Sequence, residues 1–200
     1  KIAQLGLAQL VYPGATHNRF IHALGVMHVA GRVWNRLSNV SQDIFKKYFD
    51  KDDLDYLGQV VRLAALLHDV GHGPFSHAIE RLMPRLDSLN NPKKWFVRPV
   101  GKLPAKHEDY SVLLISEISR SKERLIDTAM AQDISALVNE RIKPSARWEK
   151  RFKKIGIYKL LKSIISGELD ADSMDYLLRD AYFAGVAYGH YDIDWLINNL

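Results

Sequence analysis

The chain has 200 residues, 47% of them hydrophobic, and no cysteine, with a formal net charge of +5. That length suits one domain able to bury roughly two-thirds of its unfolded surface without a staple. Lack of cysteine excludes disulfides, thiolate metal ligands and a cysteine nucleophile, and fits a reducing, cytoplasmic setting. The longest apolar run is interrupted by Arg62 and falls far short of the roughly 20 residues a membrane helix needs, so no membrane partner is expected.

Ile2 to Val11 reads as a short helix closed by the turn signature Tyr12-Pro13-Gly14, with Thr16 as a cap for the next helix. From His17 to about Leu37 the apolar residues Phe20, Leu24 and Met27 recur at helical spacing, and Arg19 and His22 share one face. Val40 to Phe49 suggests another helix. Leu54 to His68, with Asp53 as N-cap, reads as a helix apolar on nearly every side and therefore buried.

That helix ends in Leu66-Leu67-His68-Asp69-Val70-Gly71-His72-Gly73-Pro74-Phe75-Ser76-His77. Three histidines and a carboxylate come directly after a buried helix, and buried imidazole and carboxylate need partners. Gly71 and Gly73 should break the helix, with Pro74 opening a new one that carries His77, Glu80 and Arg81 along one side as far as Met83. Residues 87–104, with Pro92, Pro99, Gly101 and Pro104, are the least helical part and read as an irregular loop or small hairpin. Helical signals resume at His107 to Ser119, Glu123 to Val138 and Ile155 to Ser166. No segment alternates long enough to argue for a sheet, so the expected fold is all-α, a helical bundle in one domain.

In the last part, Met174, Leu177, Leu178 and Ala181 form an apolar stripe, leaving Asp172, Tyr176, Arg179 and Asp180 as a polar one. Taken together, His22, His68, Asp69 and Asp172 are two imidazoles and two carboxylates, a set suited to Fe, Mn, Ni or Zn, with all four on predicted helices. No Walker-type loop and no G-x-G-x-x-G is present, so phosphate handling would fall to a metal and basic side chains. Basic residues cluster in 93–106 and 141–154, which points to an anionic partner. A nucleotide explains this field as well as nucleic acid does, and a solvated lysine-rich face is the plainer reading of either cluster.

Three stretches carry a resemblance: Tyr12-Pro13-Gly14-Ala15-Thr16-His17-Asn18-Arg19-Phe20-Ile21-His22; His68 to His77; and Asp170-Ala171-Asp172-Ser173-Met174-Asp175-Tyr176 with Arg179-Asp180 after it. In this order they resemble the HD-domain metal-dependent phosphohydrolases, specifically the deoxynucleoside triphosphate triphosphohydrolase branch. The resemblance covers residues 12 to 194, and the family's fold is expected to continue past residue 200, making this chain a fragment or a trimmed domain.

The resemblance implies that His22, His68, Asp69 and Asp172 are metal ligands and that the cofactor is a divalent transition metal (Mn, Fe, Ni or Zn), with Mg as an optional companion. It implies that His77 is the catalytic histidine, with His72, Glu80 and His107 around it. Arg19 would hold the α-phosphate, and Tyr176 and Asp180 would contact sugar or phosphate. The implied reaction converts a dNTP to deoxynucleoside and triphosphate, in a homo-oligomer. Ser173 departs from the pattern, because the animal enzymes of the branch carry a phosphate-contacting lysine there. Two alternatives stand beside this reading. One is an HD phosphohydrolase of another phosphoester, a nucleoside monophosphate or cyclic dinucleotide; the other is a catalytically idle module that binds nucleotides or nucleic acid.

Overall fold

The computed structural model describes residues 2–74 and 81–200, with Lys154 described by its backbone only. The described residues form an all-α domain: α1 (Arg19–Val40), α2 (Gln42–Tyr48), α3 (Lys51–Leu67), α4 (His107–Arg120), α5 (Thr128–Val138), α6 (Ala146–Arg151), α7 (Ile157–Ile165), α8 (Ala171–Ala184) and α9 (Ile193–Asn198). Among the described residues the only β pairings are three isolated bridges. None of their helices is long and apolar enough to cross a membrane.

Helix starts are set by side-chain caps. Asn18 accepts from the Ile21 amide, Asp127 from Met130, Ser145 from Trp148, Asp170 from Ser173 and Asp192 from Trp195. Each satisfies an amide that the first turn leaves unpaired. The cap of α1 is therefore Asn18 and not Thr16. At α3 the cap is Asp50, with Asp53 returning the bond in a capping box, so the helix begins one turn earlier than the sequence suggests.

The core is built around α3, which packs against α1, α5 and α7 and buries Leu57, Val60, Val61, Ala64 and Ala65 completely. An aromatic row of Trp34, Phe45, Phe49, Phe152 and Trp148 closes one end, with ring centroids 5.1–6.1 Å apart. Asp133 on α5 is buried there and accepts from Tyr56 Oη at 2.6 Å, Ser145 N at 2.7 Å and Ser145 Oγ at 3.0 Å.

Several local expectations are corrected. Residues 2–11 contain only a short 3-10 turn at Ala8–Leu10; the segment is tied down by an Ala3–Asn18 bridge, with Leu7, Leu10 and Val11 exposed. A helix with so little to bury has no packing to stabilise it. Helix α5 starts at Thr128 where Asp127 caps it, and α6 has no counterpart among the predicted elements. The excursion at 85–104 is hairpin-like only at its base, where Arg85 and Pro104 bridge; farther out, Trp95 and Phe96 are buried and Phe96 bridges Ile142. The expected helix Phe75 to Met83 lies almost wholly outside the described residues, as do His77 and Glu80.

Candidate metal centre

Three segments meet at the end of α3. His22 lies in the first turns of α1, His68 caps the C-terminus of α3, Asp69 comes next, and Asp172 sits in the first turn of α8. Asp172 Oδ1 is 2.9 Å from His22 Nε2 and 3.5 Å from His68 Nε2. Asp69 Oδ1 is 3.7 Å from His68 Nε2, and donor atoms of His22, His68 and Asp69 all lie within 4.8 Å of one another. The histidine rings stand edge to face with centroids 5.6 Å apart.

The tautomer of His68 follows from its contacts. Its Nδ1 lies 2.7 Å from the Ala65 carbonyl, which only accepts, so Nδ1 carries the proton and Nε2 a lone pair. That Nε2 is buried and, among the described residues, makes no hydrogen bond, with Asp172 Oδ1 standing off at 3.5 Å. A buried acceptor without a partner costs free energy, and one aimed at two carboxylates and a second imidazole fits a cation between them. Two nitrogens and two carboxylates suit a borderline divalent transition metal, so the residues fit such an ion.

The electrostatics agree. Burial alone would push His22 down, but its bonds to Asp172 and Asp175 dominate and hold its pKa up to about 9. His68 is likewise raised by Asp172 and Asp69 against the cost of burial. Asp172 is held far below the usual carboxylate range, the two imidazoles outweighing burial. These groups form a charge-complementary cluster in which a cation competes with protons for the two imidazole nitrogens.

The turn after α3 is held against α4 by Ser111. Its Oγ donates to the His68 carbonyl at 2.8 Å and accepts from Gly71 N at 3.0 Å. The expected helix break at Gly71 has a different cause from backbone freedom, since Gly71 has no positive φ. A Cβ there would meet the backbone of α4, with His107 O 2.5 Å and Tyr110 C 2.6 Å away, so only glycine allows the approach. This contact sets His72 beside His107, with ring centroids 4.6 Å apart. Asp69, His72 and His107 make a second group whose donor atoms all lie within 4.8 Å of one another, so His72, expected beside the catalytic histidine, also stands among groups able to hold a cation. Burial, then Arg19, lower the His72 pKa.

Arg19, on the same face of α1 as His22, forms an ion pair with Asp69 Oδ2. Asp180 lies 2.7 Å from Nε2 of His17, a fully buried ring stacked on Phe183 at 4.6 Å. Tyr176 is partly exposed on the outer side of α8. The apolar stripe on α8 is corrected: Leu177 is 41% exposed, whereas Asp175 is 7% exposed and faces inward. Asp175 accepts from Nδ1 of His22 at 2.8 Å and from Arg179 at 2.7 Å twice. Sequence reasoning misses the roles of His17 and Asp175. The signal available for Asp175 is its spacing, three residues after Asp172 and four before Arg179.

The second basic cluster is largely engaged within the chain. Arg141 pairs with buried Asp109 at 2.8 Å, Arg151 with Asp53, Lys153 with Glu149 at 2.6 Å, and Arg147 lies 4.1 Å over the Tyr56 ring.

Comparison with known proteins places this geometry. The HD domain family matches residues 19–180. An uncharacterized protein of Bacillus subtilis, YwfO, is 34% identical over 98% of this chain and 36% of its own length. The deoxynucleoside triphosphate triphosphohydrolase SAMHD1 of Bos taurus is 32% identical over 92% of this chain and 31% of its own. A crystal structure of a phosphohydrolase from Bacteroides thetaiotaomicron superposes with a TM-score of 0.65 at 27% identity, covering 98% of this chain and 38% of that one. A hypothetical protein from Aquifex aeolicus gives 0.63 at 34% identity, over 98% and 42%. The chain thus spans about a third of the length of the curated relatives it matches. With the family match covering most of its residues and the His68-Asp69 pair at the centre of the site, the chain belongs to the HD domain family.

Proposed function

We propose that the chain is the catalytic domain of a metal-dependent phosphohydrolase that hydrolyses deoxynucleoside triphosphates to deoxynucleoside and inorganic triphosphate. The observation that carries the reading is the buried Nε2 of His68, without a hydrogen bond among the described residues and facing His22, Asp69 and Asp172. Similarity to SAMHD1 over 92% of the chain supports the substrate class, and likeness to a solved phosphohydrolase supports the reaction class.

In this reading His22, His68, Asp69 and Asp172 hold the ion. When bound, a divalent cation supplies Lewis-acid polarisation of a phosphoryl oxygen and an acidified water, whose pKa falls from 15.7 toward about 7. Arg19, at the rim beside Asp69, offers a planar fork of donors to the α-phosphate. Attack at the α-phosphorus requires a proton on the departing 5′-oxygen. His77 is assigned this donation, worth about 10²–10⁴ in rate, and Glu80 its orientation, both on the resemblance alone. His72 and His107, side by side across the turn, flank the leaving group. Asp180, held by His17, and Tyr176 meet sugar or phosphate.

Ser173 favours a second reading, in which the phosphate chain is handled differently and the substrate is a nucleoside monophosphate or cyclic dinucleotide. The test is product identification by the full-length protein with Mn²⁺ or Fe²⁺ on a panel of all three classes. Triphosphate release from dNTPs supports the first reading; orthophosphate or a linear dinucleotide assigns the second. No turnover with any of Mn, Fe, Ni, Zn or Mg leaves only an idle nucleotide-binding module.

A further inference from the structure

We propose that Asp175, Arg179 and Gly25 form a positioning device that orients His22 as a metal ligand, an inference that rests on the metal-dependent reading of the site. The oxygen Asp175 Oδ2 lies 2.8 Å from His22 Nδ1. An ionised carboxylate only accepts, so this contact keeps the proton on Nδ1 and turns the Nε2 lone pair toward Asp172 and His68. With the His22 side chain 1% exposed, no solvent competes for that nitrogen.

A carboxylate as buried as Asp175 needs its own compensation. Arg179, one turn farther along α8, supplies it through two bonds: Nε to Oδ2 at 2.7 Å and Nη2 to Oδ1 at 2.7 Å. Ordinary pairs at this spacing on a helix surface add only a few tenths of a kcal/mol. This one differs because Oδ2 is shared with His22 and because α1 leaves a slot for it. Gly25 lies one turn after His22, and a Cβ there would overlap Asp175 Oδ1 and Arg179 Nη2 and come within 2.6 Å of Asp175 Cγ. Any side chain at position 25 would push the carboxylate off its histidine. Positions 172, 175 and 179 are spaced three and four apart, so one face of α8 presents a ligand, its positioning carboxylate and that carboxylate's clamp toward the same stretch of α1.

The experiment is a Co²⁺ titration of chelator-stripped protein, monitored by visible absorption, with far-UV circular dichroism and thermal unfolding of the metal-free forms. Asp175→Ala should weaken Co²⁺ binding about 10–100-fold and shift the absorption band while the protein stays folded. Asp175→Asn, whose side-chain oxygen still accepts from Nδ1–H, should recover part of that loss, a rescue that a merely structural role would not give. Gly25→Ala should weaken binding in the same direction, and Arg179→Gln less. Arg32→Gln, on the same α1, which removes an exposed pair with Asp194 of α9, should leave affinity and spectrum unchanged. Wild-type affinity and spectrum in folded Asp175→Ala would overturn the proposal; should that variant not fold, unchanged binding in Asp175→Asn and Gly25→Ala together would do so. If wild-type protein binds no Co²⁺, or His68→Ala binds it as well as wild type, the metal-site reading itself falls, and this proposal with it.

Discussion

Replacing Gly71 by alanine should destabilise the protein by about 3 kcal/mol and weaken metal binding together. By backbone alone the change is favourable: Gly71 has no positive φ, and alanine restricts the unfolded chain, a gain of roughly 0.4–1 kcal/mol. The contact with α4 reverses the sign. The added methyl would overlap Ser111 N and come within 2.5 Å of His107 O, atoms of a helix backbone that cannot rotate away. Relief requires the turn to move off α4, breaking the Gly71 N to Ser111 Oγ and Ser111 Oγ to His68 O bonds at about 1 kcal/mol each, with overpacking adding about 1–3 kcal/mol. Ser111→Ala removes the same two bonds without the clash and should cost about 1–2 kcal/mol. Urea unfolding of both variants and their double mutant separates the terms, and the double mutant should cost less than the sum because the bonds are shared. His68 and Asp69 ride on this turn, so Co²⁺ affinity should fall in Gly71→Ala. A stability within about 0.5 kcal/mol of wild type, with unchanged Co²⁺ affinity, would refute the claim that close approach dictates glycine here.

Asp109 is fully buried and accepts from Lys106 N at 2.9 Å, Asn139 Nδ2 at 2.8 Å and Arg141 Nη1 at 2.8 Å. Asp109→Ala should cost about 3 kcal/mol in urea unfolding, at the low end for a broken buried pair because Arg141 is 30% exposed and regains water. Tyr56→Phe should cost about 1–2 kcal/mol at pH 7 by leaving Asp133 short of a donor. Burial and then Asp133 raise the Tyr56 phenol well above its ordinary value of 10.0, so its contribution is fully present below pH 10 and is lost as pH rises beyond it. The gap between wild type and Tyr56→Phe should therefore narrow above pH 10, and a widening gap would contradict the assignment. His68→Ala and Asp172→Ala should each abolish stoichiometric metal binding and nucleotide turnover while leaving the helical circular dichroism in place, checked by elemental content after dialysis.

Much of the fold is readable because its signals are local. Apolar spacing marks α1, α3 and α7, whereas helix starts are read less well: Asn18 and not Thr16 caps α1, and Asp127 starts α5 more than a turn after Glu123. Where burial decides, the sequence misleads: Leu7 and Leu10 have the apolar spacing of core residues but lie exposed, and Leu177 points to solvent while Asp175 goes inside. A helical repeat identifies residues that share a face, not what that face meets.

The sequence by itself determined which side chains the candidate site can offer, imidazoles and carboxylates without any thiolate, and the order in which three motifs deliver them. Only the tertiary structure decided how those groups are held. The meeting of α1 with α8 gives His22 both Asp172 and Asp175, and brings His17, just before α1, to Asp180. The close approach of Gly71 to α4 brings His72 to His107 across some thirty-five residues of chain. Such pairings depend on which helices pack together and how near they come, and packing distance is set by side chains far from one another in the chain.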